Sequence, residues 1–248
     1  MEQVWPAKVQ SHPLFKGLGD AHRDAMLKAG HLRRYEDGQS VFMYGDPVRS
    51  FYLVCEGVVQ LFRETPDGHE LTAAVCLAGD TLGAHEIFME KNAHHMVNAV
   101  AARASHILEF SADWLRENAR KTGAFALNVL ALLSKESRVA CVEAEHKSSM
   151  SAAQQVACFL ERMCVLHGYD PHGFSLPYSK TLMASRLGME LETFSRALGT
   201  LRDYGIFIQG GHVSFRDLAK LESFSCADCT IAGSCQEHEQ LRVALAQE

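Results

Sequence analysis

Ser179-Lys-Thr-Leu-Met-Ala-Ser-Arg-Leu-Gly188-Met-Glu-Leu-Glu192-Thr-Phe-Ser195-Arg196-Ala-Leu-Gly-Thr-Leu201 is the stretch that decides how this chain is built. The Ser179 hydroxyl suits the cap of a short helix from Lys180 to Leu187, because serine accepts from the N–H groups a helix start leaves over. Gly188 then supplies a turn. After Met189 and Glu190 a second helix runs from Thr193 to Arg202, its outer face opening at Glu192. Phe194, Leu198 and Leu201 recur at i, i+4 and i+7 and point inward. Glu192, Ser195 and Arg196 recur at i, i+3 and i+4 and share the opposite face. Behind them Ile206-Phe-Ile-Gln, Gly210-Gly211 and His212-Val-Ser-Phe read as a hairpin wing.

Two short helices joined by a glycine turn are the pattern that lays its second helix in the DNA major groove. The outward face has the chemistry for this. An arginine such as Arg196 gives two hydrogen bonds to guanine O6 and N7, and a glutamate such as Glu192 accepts from cytosine N4. Ser195 is short enough for a thymine edge or a phosphate. Ser179, Lys180, Thr193 and Arg202 complete the candidate contact set. The charge distribution agrees. The chain of 248 residues carries a net charge of -6, which excludes a protein that coats nucleic acid by charge alone. Between Leu176 and Arg216, however, Lys180, Arg186, Arg196, Arg202 and Arg216 outnumber Glu190, Glu192 and Asp203.

Upstream, from Tyr35 to about Phe110, turn signals recur at Asp37-Gly38, Gly45-Asp46, Glu56-Gly57, Asp67-Gly68 and Gly79-Asp80. Short apolar runs lie between them, such as Ser40–Tyr44, Ser50–Cys55, Val58–Phe62 and Leu71–Cys76. That spacing predicts an antiparallel sandwich or barrel. Ser111 is placed to cap a short helix to Asn118, and a long helix follows to about Lys147. Its apolar positions, Phe125, Val129, Leu132, Leu133, Ala140 and Ala144, predict a dimerisation element, with Val129, Leu133 and Ala140 at the interface. A further helix from Ser151 to His167 ends at Gly168–Gly173. The longest apolar stretch, Ala124–Leu133, is too short to span a bilayer and is interrupted by Asn128. The N-terminus lacks a basic-then-apolar leader. Together these point to a cytoplasmic protein.

Barrel, long helix and winged helix-turn-helix in this order resemble the cAMP receptor protein and fumarate–nitrate reduction regulator (CRP/FNR) superfamily, from about His12 to Leu218. Glu192-Thr-Phe-Ser195-Arg196 is similar to the E-x-x-S-R reading pattern of the FNR branch. The resemblance implies an α+β fold: an N-terminal antiparallel β-barrel of the cyclic-nucleotide-binding jelly-roll kind, a long dimerisation helix, and a C-terminal winged helix-turn-helix. It divides the chain into a sensor barrel with flanking helices (1–118), the dimerisation helix (119–148), the DNA-binding domain (149–220) and a cysteine-bearing tail (221–248). It implies a homodimer on TTGAT-like palindromes in promoter DNA, with RNA polymerase as a further partner, and no enzyme activity.

The signal is the open part. Cyclic-nucleotide-binding relatives hold the phosphate with an Arg-Ser or Arg-Thr pair. Here Gly83-Ala-His-Glu86-Ile-Phe and Asn92-Ala-His-His95-Met-Val-Asn98 contain no arginine, so no cAMP is expected. His85, His94 and His95 are the residues a haem would use. With Glu86 they would also serve a cupin-like metalloenzyme, the alternative from another class. Of eight cysteines, Cys55, Cys76, Cys141, Cys158 and Cys164 lie in scattered apolar surroundings, while Cys226, Cys229 and Cys235 cluster as C-x2-C-x5-C. This cluster resembles the FNR type whose C-terminal cysteines hold a [4Fe–4S] centre that senses O2, NO or redox state, with a fourth ligand from the long helix. The last spacing is one residue longer than in that type. Candidates for the fourth ligand are Glu143, Cys141, His146 and His238, with Glu136 and Glu145 as further acidic choices. A Cys3His set with His238 also suits tetrahedral zinc, and a thiol-based switch is the third alternative.

Overall fold

The computed structural model describes Val9 and residues 11–89, 92–166 and 173–235. Contacts within the chain divide it into two units, Met1–Ser137 and Arg138–Glu248.

The first unit is built on six antiparallel strands: β1 His31–Tyr35, β2 Ser40–Phe42, β3 Ser50–Glu64, β4 Glu70–Leu77, β5 Thr81–Leu82 and β6 Asn98–Ser111. They run in the order β1-β6-β3-β4, with β2 also paired to β6 and β5 to β3. Among the described residues the sheet is accompanied by the α-helices α1 Asp20–Ala29, α2 Ala84–Met89 and α3 Ala112–Lys121. The long helix α4, Gly123–Ser149, starts in this unit. Strand side chains alternate between faces, and here both faces are covered. From β3, Phe51, Leu53 and Cys55 join a core with Leu14, Met26, Ile87, Leu115 and Phe125. Tyr52 and Val54 enter a second core with Tyr35, Phe42, Ala99 and Ile107. Double burial explains why Phe51–Cys55 reads as an unbroken apolar run rather than an alternating one.

Glu56-Gly57 is not a turn. Strand β3 runs through it from Ser50 to Glu64, and its register against β6 shifts on both sides of Gly57. Gly57 has φ of 96°, and a Cβ there would lie 2.6 Å from the Ser105 Cα. The glycine therefore permits a bulge and close backbone approach, the other structure an isolated strand glycine signals.

Ser111 caps α3, its hydroxyl accepting from the Trp114 N–H at 3.5 Å. In α4 the polar interruption has a use: Asn128 Nδ2 donates to the Leu14 and Lys16 carbonyls at 2.9 and 2.8 Å. The residues predicted for the seam divide between two environments in the same helix. Val129 is 5 % exposed and belongs to the barrel's own core, with Leu132 and Leu133 packed against it. Only Ala140 of the three predicted interface residues is exposed. One apolar stripe of α4 docks on the barrel, and the large apolar side chains left outside are Leu127 and Leu130.

The second unit contains α5 Ala152–Leu166, α6 Lys180–Arg186, α7 Leu191–Leu201, α8 Leu218–Ser225 and a small sheet of β7 Phe174–Ser175, β8 Ile206–Gln209 and β9 His212–Phe215 in the order β7-β9-β8. The predicted break at Gly168–Gly173 lies, except for Gly173, outside the described residues.

Candidate functional site

The helix pair forms as its residues dictate. Ser179 Oγ accepts from the Leu182 N–H at 3.2 Å and starts α6. Gly188 takes the left-handed turn conformation, φ 68°, which only glycine adopts without strain. Helix α7 begins at Leu191, two residues before the expected Thr193. Its inner face is Phe194 and Leu201, both fully buried, with Ala197 at 4 % exposure; Leu198 is half-buried. Glu192, Ser195 and Arg196 are all exposed on the other face. The Arg196 guanidinium donates to Thr193 Oγ1 at 3.2 Å, one turn earlier. Among the described residues it makes no ion pair with Glu192, so its outer N–H groups remain available to a ligand. Ser179, Lys180 and Arg202 are also exposed, whereas Thr193 is half-buried. The wing is a regular hairpin, with Gln209 paired to His212 across Gly210-Gly211. Arg216 stacks its guanidinium 4.3 Å above the Phe207 ring, a contact invisible in the spacing.

Helix α4 reaches this element through charge. Arg186, at the end of α6, donates to Glu143 Oε1 at 2.5 Å, and Arg162 of α5 approaches the same oxygen at 3.5 Å. Two arginines thus occupy one of the candidate fourth ligands. A small cavity of about 40 Å³ beside them is walled by His146, Cys158, Arg186 and Leu187, among others.

The clustered cysteines follow α8. The Cys229 N–H donates to the Cys226 carbonyl at 3.2 Å and closes a turn. Cys226 and Cys229 are partly exposed, and Cys235 is buried. Cys229 Sγ lies 3.4 Å from His146 Nε2. Cys235 and His146 wall a second cavity, of about 20 Å³, together with Cys158. Glu145 accepts from Thr230 Oγ1 at 2.7 Å, and Cys141 is exposed. His238 lies outside the described residues. Among the described residues, no group of three or more His, Cys, Asp or Glu side chains is placed to hold a metal ion. Cys229 thus meets His146 of the long helix, and Cys235 lines a cavity with the same residue.

The barrel histidines are separated as well. His85 is exposed and faces Glu136 at 3.5 Å, and that carboxylate also accepts from Thr81 Oγ1 at 3.1 Å. His94 is exposed. His95 is buried, stacked 3.6 Å from the Phe42 ring, with Nδ1 3.8 Å from Glu86 and without a hydrogen bond. Among the described residues, these side chains form no group of three or more placed to hold a metal ion.

Residues 32–122 match the cyclic nucleotide-binding domain family, and residues 154–224 match the Crp-like helix-turn-helix domain family. The chain is 31 % identical over 219 residues to the cyclic AMP receptor protein of Thermus thermophilus, covering 88 % of this chain and 98 % of that one. It is 30 % identical over 215 residues to the nitrogen fixation regulation protein FixK of Bradyrhizobium diazoefficiens, covering 81 % and 88 %. Its fold is shared with the solved structure of FixK2 from Bradyrhizobium japonicum, at a TM-score of 0.70 and 23 % identity over 79 % of this chain and 96 % of that one. These relatives are regulators, which removes the metalloenzyme alternative. An antiparallel nucleotide-binding-type barrel, a long helix and an exposed reading helix thus have one common source: the chain belongs to the CRP/FNR family of DNA-binding transcription regulators.

Proposed function

We propose that the chain is a dimeric regulator that reads TTGAT-like two-fold sites in promoter DNA, with RNA polymerase as the partner it recruits or blocks there. The observation that carries this is the outer face of α7, where Glu192, Ser195 and Arg196 stand exposed on one helical turn. Arg196 takes the guanine of the half-site through O6 and N7, and Glu192 takes the N4 amino group of the paired cytosine. Thr193 positions Arg196 through its hydroxyl, and Ser179, Lys180 and Arg202 serve the backbone phosphates.

A second copy docks along α4. Leu127, Leu130, Ser134, Ser137, Cys141 and Ala144 follow one another at alternating spacings of three and four, all are exposed, and none is charged. Such a stripe is the seam of a two-stranded coiled coil. The barrel in this reading binds no cyclic nucleotide, since His95 is stacked on Phe42 beside Glu86 and residues 92–98 bring no arginine.

The cysteine segment is the signal input. A [4Fe–4S] centre sensing O2 or NO is supported by the C-x2-C-x5-C spacing alone. The described side chains do not gather a donor set of three or more.

Site selection from random duplexes with the full chain is the test. Enrichment of a TTGAT palindrome by a dimer, lost in Leu127→Glu/Leu130→Glu, is the expected result. Selection of an unrelated motif, or of a single half-site by a monomer, overturns it. Iron, sulfide and zinc counts with the anaerobic absorption spectrum decide between cluster, haem, zinc and metal-free thiols.

A further inference from the structure

We propose that the cavity where α4, α5 and α6 meet binds a phosphate-type dianion, either inorganic phosphate or the phosphoryl end of a small phosphate monoester. Three observations carry it. The first is charge. Of the side chains that wall the cavity, Lys147, Arg162 and Arg186 are cations and Glu143 is the one carboxylate, an excess of two positive charges. The second is how little of that charge is used. Both arginines converge on a single atom, Glu143 Oε1, at 2.5 and 3.5 Å. Among the described residues the Arg186 side chain makes no other hydrogen bond, and Lys147 makes no ion pair. The Lys147 ammonium stands over the turn between α6 and α7, where a Cβ on Gly188 would lie 3.6 Å from its Nζ. A guanidinium carries its N–H donors in a fixed fork that matches phosphate oxygens, and one shared carboxylate oxygen leaves most of the Arg186 fork open.

The third observation is size. The cavity offers about 40 Å³, room for about three water-sized atoms, which is what the oxygens of a phosphoryl group need. Such a group carries a charge of about −1.5 to −2 at neutral pH, so it matches the excess on the walls where a monoanion does not. Both arginine side chains are partly buried. Charges held away from bulk water attract an anion more strongly than charges in solution, because the local dielectric is lower.

A bound dianion ties three helices together. Lys147 comes from the end of α4, Arg162 from α5 and Arg186 from α6, the first helix of the helix-turn-helix. The anion therefore holds the DNA-reading element against the long helix. Its three cations all precede α7, so the site does not depend on what the cysteines after α8 carry. The consequence for DNA rests on the regulator reading; the binding of the anion does not.

The test is a titration of the full-length chain with inorganic phosphate, followed by phosphorus NMR and by thermal melting, with ionic strength held constant by sodium chloride. One saturable site per chain is expected. At about ten times its Kd, phosphate should favour the folded form about elevenfold, a rise of about 3–6 °C in Tm. Lys147→Gln should weaken binding about fivefold, the upper end for an exposed charge pair. Arg162→Gln removes a partly buried cation and should weaken it more. Lys121→Gln, which lies in the first unit and is paired with Glu117, should change nothing and controls for net charge. Glycerol phosphate run beside inorganic phosphate separates the two sources, and the tighter of the two names the ligand. Absence of saturable binding overturns the proposal, as does equal binding of nitrate or chloride. So does a Kd indifferent to both Lys147→Gln and Arg162→Gln in variants that melt cooperatively. In the presence of duplex, saturating phosphate should change DNA affinity by at least about fivefold and then level off. A loss of DNA affinity that grows without limit as phosphate rises also overturns the proposal, because the cavity then holds a backbone phosphate of the DNA. Unchanged DNA affinity overturns the link to regulation and leaves the anion site standing.

Discussion

Arg196→Ala is the sharpest test of how α7 reads DNA. In the structure the guanidinium is exposed and donates a hydrogen bond to Thr193. The substitution therefore takes no buried group away, and stability should change by no more than about 0.5 kcal/mol. The effect on binding is separable into two kinds. If Arg196 reads guanine, each half-site loses about 1–3 kcal/mol of discrimination. A two-fold site doubles this to about 2–6 kcal/mol, roughly 30- to 20,000-fold in affinity. That loss should fall on TTGAT and vanish on half-sites whose G·C pair has been changed. If Arg196 only clamps a phosphate, every sequence weakens alike. The slope of log K against log salt then flattens by about 0.9 per subunit. Fluorescence anisotropy on a panel of half-site variants at three salt concentrations reads both quantities. Unchanged discrimination at the G·C pair, with a flatter salt slope, refutes the base-reading role.

Three further outcomes test the fold that positions this helix. Gly57→Ala should destabilise the barrel by at least about 2 kcal/mol, because φ is 96° and the added Cβ meets the Ser105 backbone; equal denaturation midpoints for the two proteins contradict the bulge. His12 has Nδ1 accepting from the Leu14 N–H and Nε2 on the Gly79 carbonyl, and burial holds its pKa below the usual histidine range. The unfolded chain then binds the extra proton first, so stability is constant above pH about 6.5 and falls as pH drops below it. His12→Gln should flatten that part of a thermal-melt series. Glu143→Gln leaves Arg186 and Arg162 facing a neutral amide, and loss of this partly buried pair should cost about 1–3 kcal/mol. Hydrogen exchange in α6 should quicken, and unaltered protection there counts against the linkage.

Local physics made much of the molecule readable. Ser179, Gly188 and the wing glycines each impose one backbone conformation on their immediate neighbours. Helical period alone separates buried Phe194 and Leu201 from exposed Glu192, Ser195 and Arg196, so the two faces of the helix were legible, although Ala197 rather than Leu198 completes the buried one. The turn at Glu56-Gly57 was misread because a glycine with positive φ serves a turn and a bulge equally well. Only the Ser105 backbone packed against it selects the bulge.

The long helix shows the limit most clearly. Its sequence carries apolar residues around more than one face, and periodicity cannot say which stripe meets which neighbour. The barrel core claims Val129 and Leu133 and leaves Leu127 and Leu130 outside. The cysteines are similar. Their clustered spacing is plain from the sequence. That Cys229 lies against His146, 83 residues away, while Glu143 is taken by Arg186, is a matter of long-range packing. The sequence by itself determined the helix-turn-helix, the exposed face of its second helix and the strand-rich N-terminal half, because each depends on contacts a few residues apart. The tertiary structure alone decided which face of the long helix is free and which side chain the thiols meet, because those choices are made by residues distant in the chain.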